Sequence, residues 1–339
     1  MPFAVEIVEL RVLVAKALAE SDTSDANARS VARALVQAEI DGQAGHGLSR
    51  VESYAAQAKA GKVKGHAVPS IHQIRPGALR IDAGNGFAYP AIDLAIDHLP
   101  ALAAANGIAA AGITRSHHFG VAGRHVERLA EAGLVALVFG NTPKAMAPHG
   151  GKAALFGTNP IAFAAPLPGR PPLVVDLALS QVARGKIVAA AKAGKPIPAG
   201  WAVDADGNPT TDAAAALKGT LLPLGGAKGA ALALMVEILA GALTGANLGF
   251  AASSFFDAHG KPPGVGQLLL AIDAGVFAGR DVFDTRFTAL VSAIEADGAR
   301  LPGARRLALR ERAAREGVAV DRHMLTSLRE LAGEVPPAS

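Results

Sequence analysis

The sequence has no cysteine among its 339 residues, a single tryptophan and two tyrosines, and aromatic residues make up 4% of it. Without cysteine there are no disulfides, thiolate nucleophiles, iron–sulfur clusters or cysteine-ligated zinc, so chemistry falls to His, Lys, Arg, Asp and Ser. Long apolar runs are missing as well. The most membrane-like stretch, residues 229–252, carries Glu237, Asn247 and four glycines, whereas a spanning helix needs about 20 predominantly apolar residues. The amino-terminal segment has acids at Glu6 and Glu9 where a secretory signal carries basic residues. These features predict a cytoplasmic protein with no membrane partner. The net charge is +4, yet Lys and Arg are dispersed and aromatics are sparse, which argues against a nucleic-acid surface.

Half of the residues are apolar, enough to bury one large core or two coupled ones. Apolar spacing predicts helices over Glu6–Leu18, over Asp25–Ile40 with Ser24 as N-cap, and over Leu48–Ala60 ending on Gly61. From about Leu79 the texture changes to short apolar runs bounded by Gly, Pro and Asn. Ile108–Ile113, Leu134–Phe139, Ile161–Ala165 and Leu173–Leu177 read as strands, alternating with helices over Ala91–Ala105, Val121–Ala132 and Gln181–Ala193. A long apolar helix over Ala227–Leu243, a strand over Gln267–Asp273 and helices over Asp281–Asp297 and Arg305–Glu316 complete the chain. This alternation predicts an α/β layer fold. No repeat or low-complexity linker separates the parts, so the domains are expected to interleave.

The glycine-rich dinucleotide fingerprint is absent: the clusters at 84–86 and 224–229 have the wrong spacing, and Lys228 is followed by Gly229 rather than Ser or Thr. Three other constellations carry chemistry. His46 stands between glycines with Arg50 four residues on, a general acid beside a two-pronged carboxylate anchor; a structural helix start is the competing reading. Arg115 to Gly120 includes His117 and His118 directly after a strand, where α/β proteins bind ligands. The adjacent histidines have no acids near them in sequence, so the site is read as metal-free. Gly157, Thr158, Asn159 and the strand end Asp176 to Ser180 offer backbone N–H groups and hydroxyls suited to a pyrophosphate or ribose, or else simply form tight turns. Lys228, opening the longest helix, could join the helix terminus on a phosphate.

In this order the motifs GHG, SHHFG, APHGG, LFGTNP, GWAVDADGNPTTD, LLPLGGAKG and LPGARR resemble the malate/L-lactate dehydrogenase family that lacks a Rossmann domain, over nearly the whole chain. The resemblance implies a homodimer with a non-Rossmann NAD(P)-binding α/β domain over residues 76–284. It also implies a helical substrate and dimerisation domain built from residues 1–75 and 285–339. It implies His46 as proton donor and Arg50 as anchor of a small carboxylate substrate. Cofactor contacts would fall on His118, Phe119, Gly120, Val121, Ala122, Thr158, Ala178, Leu179, Ser180, Lys228, Gly303, Ala304 and Arg305. The cofactor is NAD or NADP, with NADPH favoured. SHHFG, residues 252–256 and the strand GQLLLAID look most like the Δ1-pyrroline-2-carboxylate/Δ1-piperideine-2-carboxylate reductases, the leading expectation. Those reductases carry Ser before the catalytic His and an acid where this chain has Lys186, whereas Gly45 and Lys186 are closer to the 2-hydroxyacid dehydrogenases. A malate/L-lactate-type dehydrogenase therefore stays open, as does a family member that binds a small acid or nucleotide without turnover.

Overall fold

The computed structural model describes residues 3–334, and its first helices follow the apolar spacing. Strand β1 (Phe3–Val5) leads into α1 (Ile7–Ala19) and α2 (Asp25–Ile40), the latter capped by the Ser24 hydroxyl, which accepts the Asn27 N–H. Two short 3-10 turns, Ala44–His46 and Leu48–Arg50, precede α3 (Val51–Lys59). The helix expected from Leu48 thus opens on a tighter turn, because Gly47 is pressed onto α2. A Cβ there would lie 2.2 Å from the Glu39 carboxylate, which accepts the Leu48 N–H at 2.9 Å.

Strands β2 (Ser70–Arg75) and β3 (Ala78–Asp82) form a hairpin that the sequence pattern leaves unassigned, since β2 is mostly exposed and its residues are largely polar. Then come α4 (Ala88–Asn106), β4 (Ile108–Ser116), α5 (Ala122–Glu131), β5 (Leu134–Gly140), β6 (Ile161–Leu167) and β7 (Arg170–Leu177). They are followed by α6 (Arg184–Lys192), β8 (Ala202–Val203), β9 (Pro209–Thr210), α7 (Ala213–Lys218) and β10 (Thr220–Leu221). Helix α8 (Ala227–Val236) continues into a π-helical turn, Glu237–Ala242, so the long predicted helix changes pitch halfway. Strand β11 (Val265–Asp273), α9 (Arg280–Ala296), α10 (Ala304–Glu316), β12 (Val318–Val320) and α11 (Arg322–Leu331) end the described chain.

Seven strands form one mixed sheet in the order β2-β3-β4-β11-β5-β6-β7. Its single parallel pair is β3–β4, joined by the α4 crossover; β6 and β7 meet through a tight turn and so run antiparallel. The fold is α/β as expected, although its alternation of strands and helices does not produce a parallel sheet. Helices α4 and α5 cover one face, where Ile92, Leu99, Val126 and Leu129 pack on Ile81, Ile113, Val138 and Leu269. On the other face Ala233, Val236 and Ile187 pack with Phe139 and Leu268.

A third core joins both ends of the chain: Leu10, Leu35, Val51 and Tyr54 pack with Val318, Leu325 and Leu328, and β1 pairs with β12. Phe87 and Tyr89, at the start of α4, belong to this helical core, while Ile92 and Leu99 of the same helix belong to the sheet. Helix α4 therefore fixes the helical part against the end of β4. Among the described residues, no helix is long and apolar enough to cross a membrane.

A charge network makes a second tie between the two parts. The side chain of Glu127 on α5 is 1% exposed and accepts from Arg124, Arg306 and Arg310, while Arg310 also grips Asp41 at the end of α2. Removing one member of such a buried cluster leaves its partners uncompensated. Glu127→Ala is expected to destabilise the fold by about 3–5 kcal/mol in urea denaturation, the range for a broken buried pair. A loss below about 1 kcal/mol would class the network with exposed pairs.

Candidate active site

A cavity of about 920 Å³ lies between the helical part and the carboxyl end of β4, within the range of about 300–1,000 Å³ of small-molecule sites. Its walls include His46, Arg50, His118 to Ala122, Thr158, Ala178 and Phe256. At the end of β4, Arg115 takes φ +49° and pairs with Asp82, bending the chain so that His117 and His118 enter the protein.

His118 is the hinge of the site. Its ring stacks on His46 with centroids 5.1 Å apart and 7° between planes, and its Nε2 lies 3.2 Å from His46 Nδ1. Its Nδ1 lies 2.5 Å from the Tyr54 hydroxyl, which in turn lies 3.2 Å from the Tyr89 hydroxyl. Burial lowers the pKa of His46 to about 4, with the nearby Arg50 charge adding to the effect. Burial also holds His118 well below the usual histidine range, followed by the Arg50, His46 and His117 charges. Tyr54 is pushed up to about 12 and Tyr89 well above its ordinary value, in both cases chiefly by burial. At neutral pH the four-member chain is therefore uncharged along its length.

Arg50 occupies the same wall. Its Nε–H donates to the Gly45 carbonyl at 2.7 Å, and its guanidinium carbon sits 5.1 Å from the centre of the Phe256 ring. That arrangement fixes the fork and leaves its terminal nitrogens for an incoming carboxylate. Phe255, in the neighbouring position, packs on both His117 and His118. The loop carrying these rings is clamped from α3 and the turn after it: Gln57 donates to the Phe255 carbonyl, and the buried Lys62 ammonium donates to the Ser254 and Asp257 carbonyls, each at 2.7 Å.

Across the cavity lie Gly120 and the amino end of α5. Gly120 has φ +69°, and a Cβ on it would meet the Tyr89 hydroxyl at 2.6 Å, so the chain passes this point only as glycine. The Gly123 N–H, in the first turn of α5, donates to Asp176 at 2.7 Å. Thr158 is held by the Thr142 hydroxyl, which accepts its N–H at 2.9 Å. Beneath them the buried Glu237 carboxylate accepts from Asn141, Asn159 and Gly249, fixing three loops at once. Lys144, Lys152, Arg184 and Lys218 also line the cavity, against one acid, Asp176.

The structure thus brings together His46, Arg50, His118, Phe119, Gly120, Val121, Ala122, Thr158 and Ala178. His118, expected as a cofactor contact, lines the cavity and stands beside His46. Leu179 and Ser180 do not line the cavity: Leu179 is buried in the core, and the Ser180 hydroxyl turns onto the Val182 carbonyl. Lys228 is exposed in the first turn of α8, and the preceding turn bonds to Leu179 without reaching the cavity wall. Gly303, Ala304 and Arg305 lie outside the wall as well, at the start of α10. Lys186 is exposed on α6, whereas Ala183, Arg184 and Gly185 just before it line the cavity. Sequence reasoning missed Tyr54 and Tyr89 altogether. Tyr54 is four residues beyond Arg50, the spacing of one helical face, and that was the available signal.

Residues 5–329 match the family described as malate/L-lactate dehydrogenase. The chain is 51% identical over 307 residues to the (2R)-3-sulfolactate dehydrogenase (NADP(+)) of Chromohalobacter salexigens, covering 90% of this chain and 91% of that one. It is 45% identical to the Δ1-pyrroline-2-carboxylate/Δ1-piperideine-2-carboxylate reductase of Pseudomonas aeruginosa, covering 92% and 94%. The fold superposes on the crystal structure of Δ1-piperideine-2-carboxylate reductase from Pseudomonas syringae pvar. tomato with a TM-score of 0.92, at 40% identity and with 97% and 99% of the two chains covered.

Buried neutral imidazoles have a consequence for stability. His117 is lowered to about 3 and His125 to about 4, mainly by burial, and His118 shifts the same way. Below the ordinary value of 6.5 the unfolded chain takes up protons that the native chain refuses, so stability falls as pH drops from about 6.5 towards 4. Each histidine contributes at most about 1.4 kcal/mol per pH unit. Urea midpoints measured across this window should rise with pH and level off above it; a flat profile would contradict the burial.

Proposed function

Because the chain belongs to the malate/L-lactate dehydrogenase family, we propose that it is an NAD(P)-dependent oxidoreductase acting on the C=O or C=N carbon beside a small substrate's carboxylate. The observation that carries this reading is the placement of His46 and Arg50 on one wall of a cavity onto which the start of α5 also opens. The residues fit a nicotinamide dinucleotide: a glycine at φ +69°, a ten-residue helix beginning at Ala122, the Thr158 hydroxyl and several cations surround one cavity. That cofactor supplies or accepts the hydride when bound. The excess of Lys and Arg over acid along the wall supports NADPH, as does the NADP(+) in the sulfolactate relative's name.

Arg50 binds the substrate carboxylate through its two free donors, and Phe256 beneath it stops the fork from swinging. His46 gives its proton to the oxygen or nitrogen as hydride reaches carbon. A carboxylate docked on Arg50 offsets the positive charge that helps lower the His46 pKa, so substrate binding itself raises the histidine's hold on a proton. A cyclic imino acid remains the leading substrate, as in the reductase relatives. The 2-oxo and 2-hydroxy acid reading has its own support, because Lys186 is exposed and places no carboxylate beside His46. The cysteine-free sequence is consistent with a cytoplasmic location.

A homodimer is part of this reading. Leu232, Leu234, Ile238 and Leu290 are exposed on α8, its π-helical extension and α9, with Leu243 just past that extension and Phe277 in the turn before α9, and on α9 Val291 alone is buried. Apolar patches of this kind are rare on monomers. Helix α2, by contrast, buries its apolar stripe within the subunit, which moves the expected contact from residues 1–75 towards α8 and α9.

Loss of NADH or NADPH absorbance with a panel of 2-oxo acids and cyclic imines tests the activity, and no turnover on either class would leave a binding protein. His46→Ala should lower kcat by a factor of about 10² to 10⁴ with cofactor affinity unchanged. Arg50→Lys should act instead through the KM of the acid substrate, since an ammonium cannot make the two-pronged contact. For assembly, light scattering should give twice the 34.2 kDa of one chain, and Ile238→Asp should reduce it; a wild-type mass near one chain would refute the dimer.

A further inference from the structure

Carbonyl reduction consumes one proton per turnover, and His46 must be reloaded each time. Among the described residues no carboxylate bonds to His46, whose side-chain partner is His118; Lys186 is exposed on α6, and Gly45 offers no hydroxyl. Three other groups stand in line behind His46. His118 Nε2, the Tyr54 hydroxyl and the Tyr89 hydroxyl follow one another at 3.2, 2.5 and 3.2 Å, counting from His46 Nδ1 to His118, on to Tyr54 and then to Tyr89. Tyr54 is 1% exposed and does not line the cavity, so neither substrate nor cofactor contact accounts for its hydroxyl.

We propose that Tyr54, acting through His118, is the positioning residue that orients and reloads His46, with Tyr89 as the far end of a proton chain. This rests on the function proposed above. With Tyr54 donating to His118 Nδ1, the His118 proton must sit on Nε2 and point at His46 Nδ1, which places the His46 proton on its remaining nitrogen, Nε2. In reduction that Nε2 proton goes to the substrate oxygen or nitrogen while hydride goes to carbon. The His118 proton moves to His46 Nδ1, the Tyr54 proton to His118 Nδ1 and the Tyr89 proton to Tyr54. Tyr89 takes one proton from water. The balance is one hydride and one solvent proton per substrate, and every relay group ends neutral. The chain then stands inverted, with His46 Nε2 unprotonated, the state that oxidation needs. A further reduction follows once water in the emptied cavity protonates His46 Nε2 and the chain passes its proton back out through His118, Tyr54 and Tyr89, restoring the starting hydrogen bonds.

The far end of the chain lies against Gly120 of the cavity wall, where a Cβ would meet the Tyr89 hydroxyl at 2.6 Å. Tyr89 itself is buried and does not line the cavity, so its proton must arrive by way of water at the Gly120 backbone. The titratable groups packed around the chain are Arg50, Lys62, His117 and His125, with Asp93 acting on His125 and Asp257 on Lys62 at its outer edge, while the outside charge acting on His46, Tyr54 and Tyr89 is Arg50. An uncharged relay suits that setting. A charged imidazole would face Arg50 with nothing to offset it until substrate binds.

The chain has only two tyrosines, so biosynthetic replacement of tyrosine by fluorotyrosine changes positions 54 and 89 alone, making both phenols more acidic with little change in shape. The companion variant Tyr54→Phe removes the hydroxyl while keeping the ring that packs on Phe87 and His117. For a substrate turned over by the wild type, kcat is measured against pH and against the fraction of deuterium oxide. Expected for the wild type is a bowed dependence on deuterium, from several protons in flight, and for fluorotyrosine enzyme an alkaline limb moved to lower pH. Tyr54→Phe should lower kcat at least about tenfold, a part of the effect of losing the donor itself, with KM and cofactor affinity within about twofold and a straight deuterium dependence.

The relay is overturned if Tyr54→Phe keeps wild-type kcat, or if kcat falls while the deuterium dependence and pH profile stay as in the wild type. Should Tyr54→Phe not fold, the fluorotyrosine enzyme decides: an unmoved pH profile refutes the proposal. Magnetic resonance of isotope-labelled histidine gives a readout without turnover, in which the His118 Nδ1 resonance must shift on fluorination. An unshifted resonance refutes the relay even if no substrate is found. Loss of activity in His46→Ala together with full activity in Tyr54→Phe would keep the proposed function and discard the relay.

Discussion

The interaction on which the rest depends is the enclosure of the His118 imidazole between the Tyr54 hydroxyl and the His46 ring, with Phe255 closing the side. Each contact comes from a different part of the chain: His118 from the end of β4, Tyr54 from α3, His46 from the turn before it, Phe255 from the loop after α8. Holding them within hydrogen-bond reach requires the helical core and the sheet to meet along one line. Helix α4 sets that line, since its first turn carries Phe87 and Tyr89 into the helical core while its later turns pack on the sheet. The Glu127–Arg310 network holds the same two parts from farther out, while the pairing of β1 with β12 closes the helical part on itself.

Several buried polar groups in this molecule brace loops. Lys62 gives its ammonium to two carbonyls of the aromatic loop, and Glu237 spends both oxygens on loops that frame Thr142 and Thr158. Asn159, between Thr158 and Pro160, is held at φ +38°, a conformation that asparagine tolerates better than most residues and that its bonds to Ala233 and Glu237 enforce. Such braces are costly to bury unless every partner is present, and in return they remove freedom from the walls that contact substrate and cofactor. Preorganised walls of this kind let binding orient the reacting groups without first ordering the protein.

The electrostatic character of the cavity follows from the same economy. Its wall carries cations with Asp176 as the one acid, while the histidines at its base are neutral because burial outweighs everything else acting on them. Anionic groups are attracted to the wall, and the proton chemistry is confined to a segment whose charge changes only when an anion arrives. Arg50 links the two, since it is both the proposed carboxylate anchor and a charge that His46 feels.

The sequence by itself determined the local elements and the polarity of the site. Periodicity fixed α2 to the residue because Ser24 caps it and its apolar stripe repeats at helical spacing, and the runs at Ile108, Leu134 and Gln267 are strands because β-branched and apolar side chains pack on both faces of a sheet. His46 and Arg50 were legible because four residues separate them, so their neighbourhood is local. The β2–β3 hairpin was not, because an edge hairpin with polar residues lacks the alternation that marks a half-buried strand. Tertiary structure alone decided that His118 faces His46, that Tyr54 stands behind both, and that Leu179, Ser180 and Lys228 are not among the residues lining the cavity. Pairs 64 and 72 residues apart in sequence leave no periodic trace, and which face of a strand end is buried depends on which helix comes to lie against it.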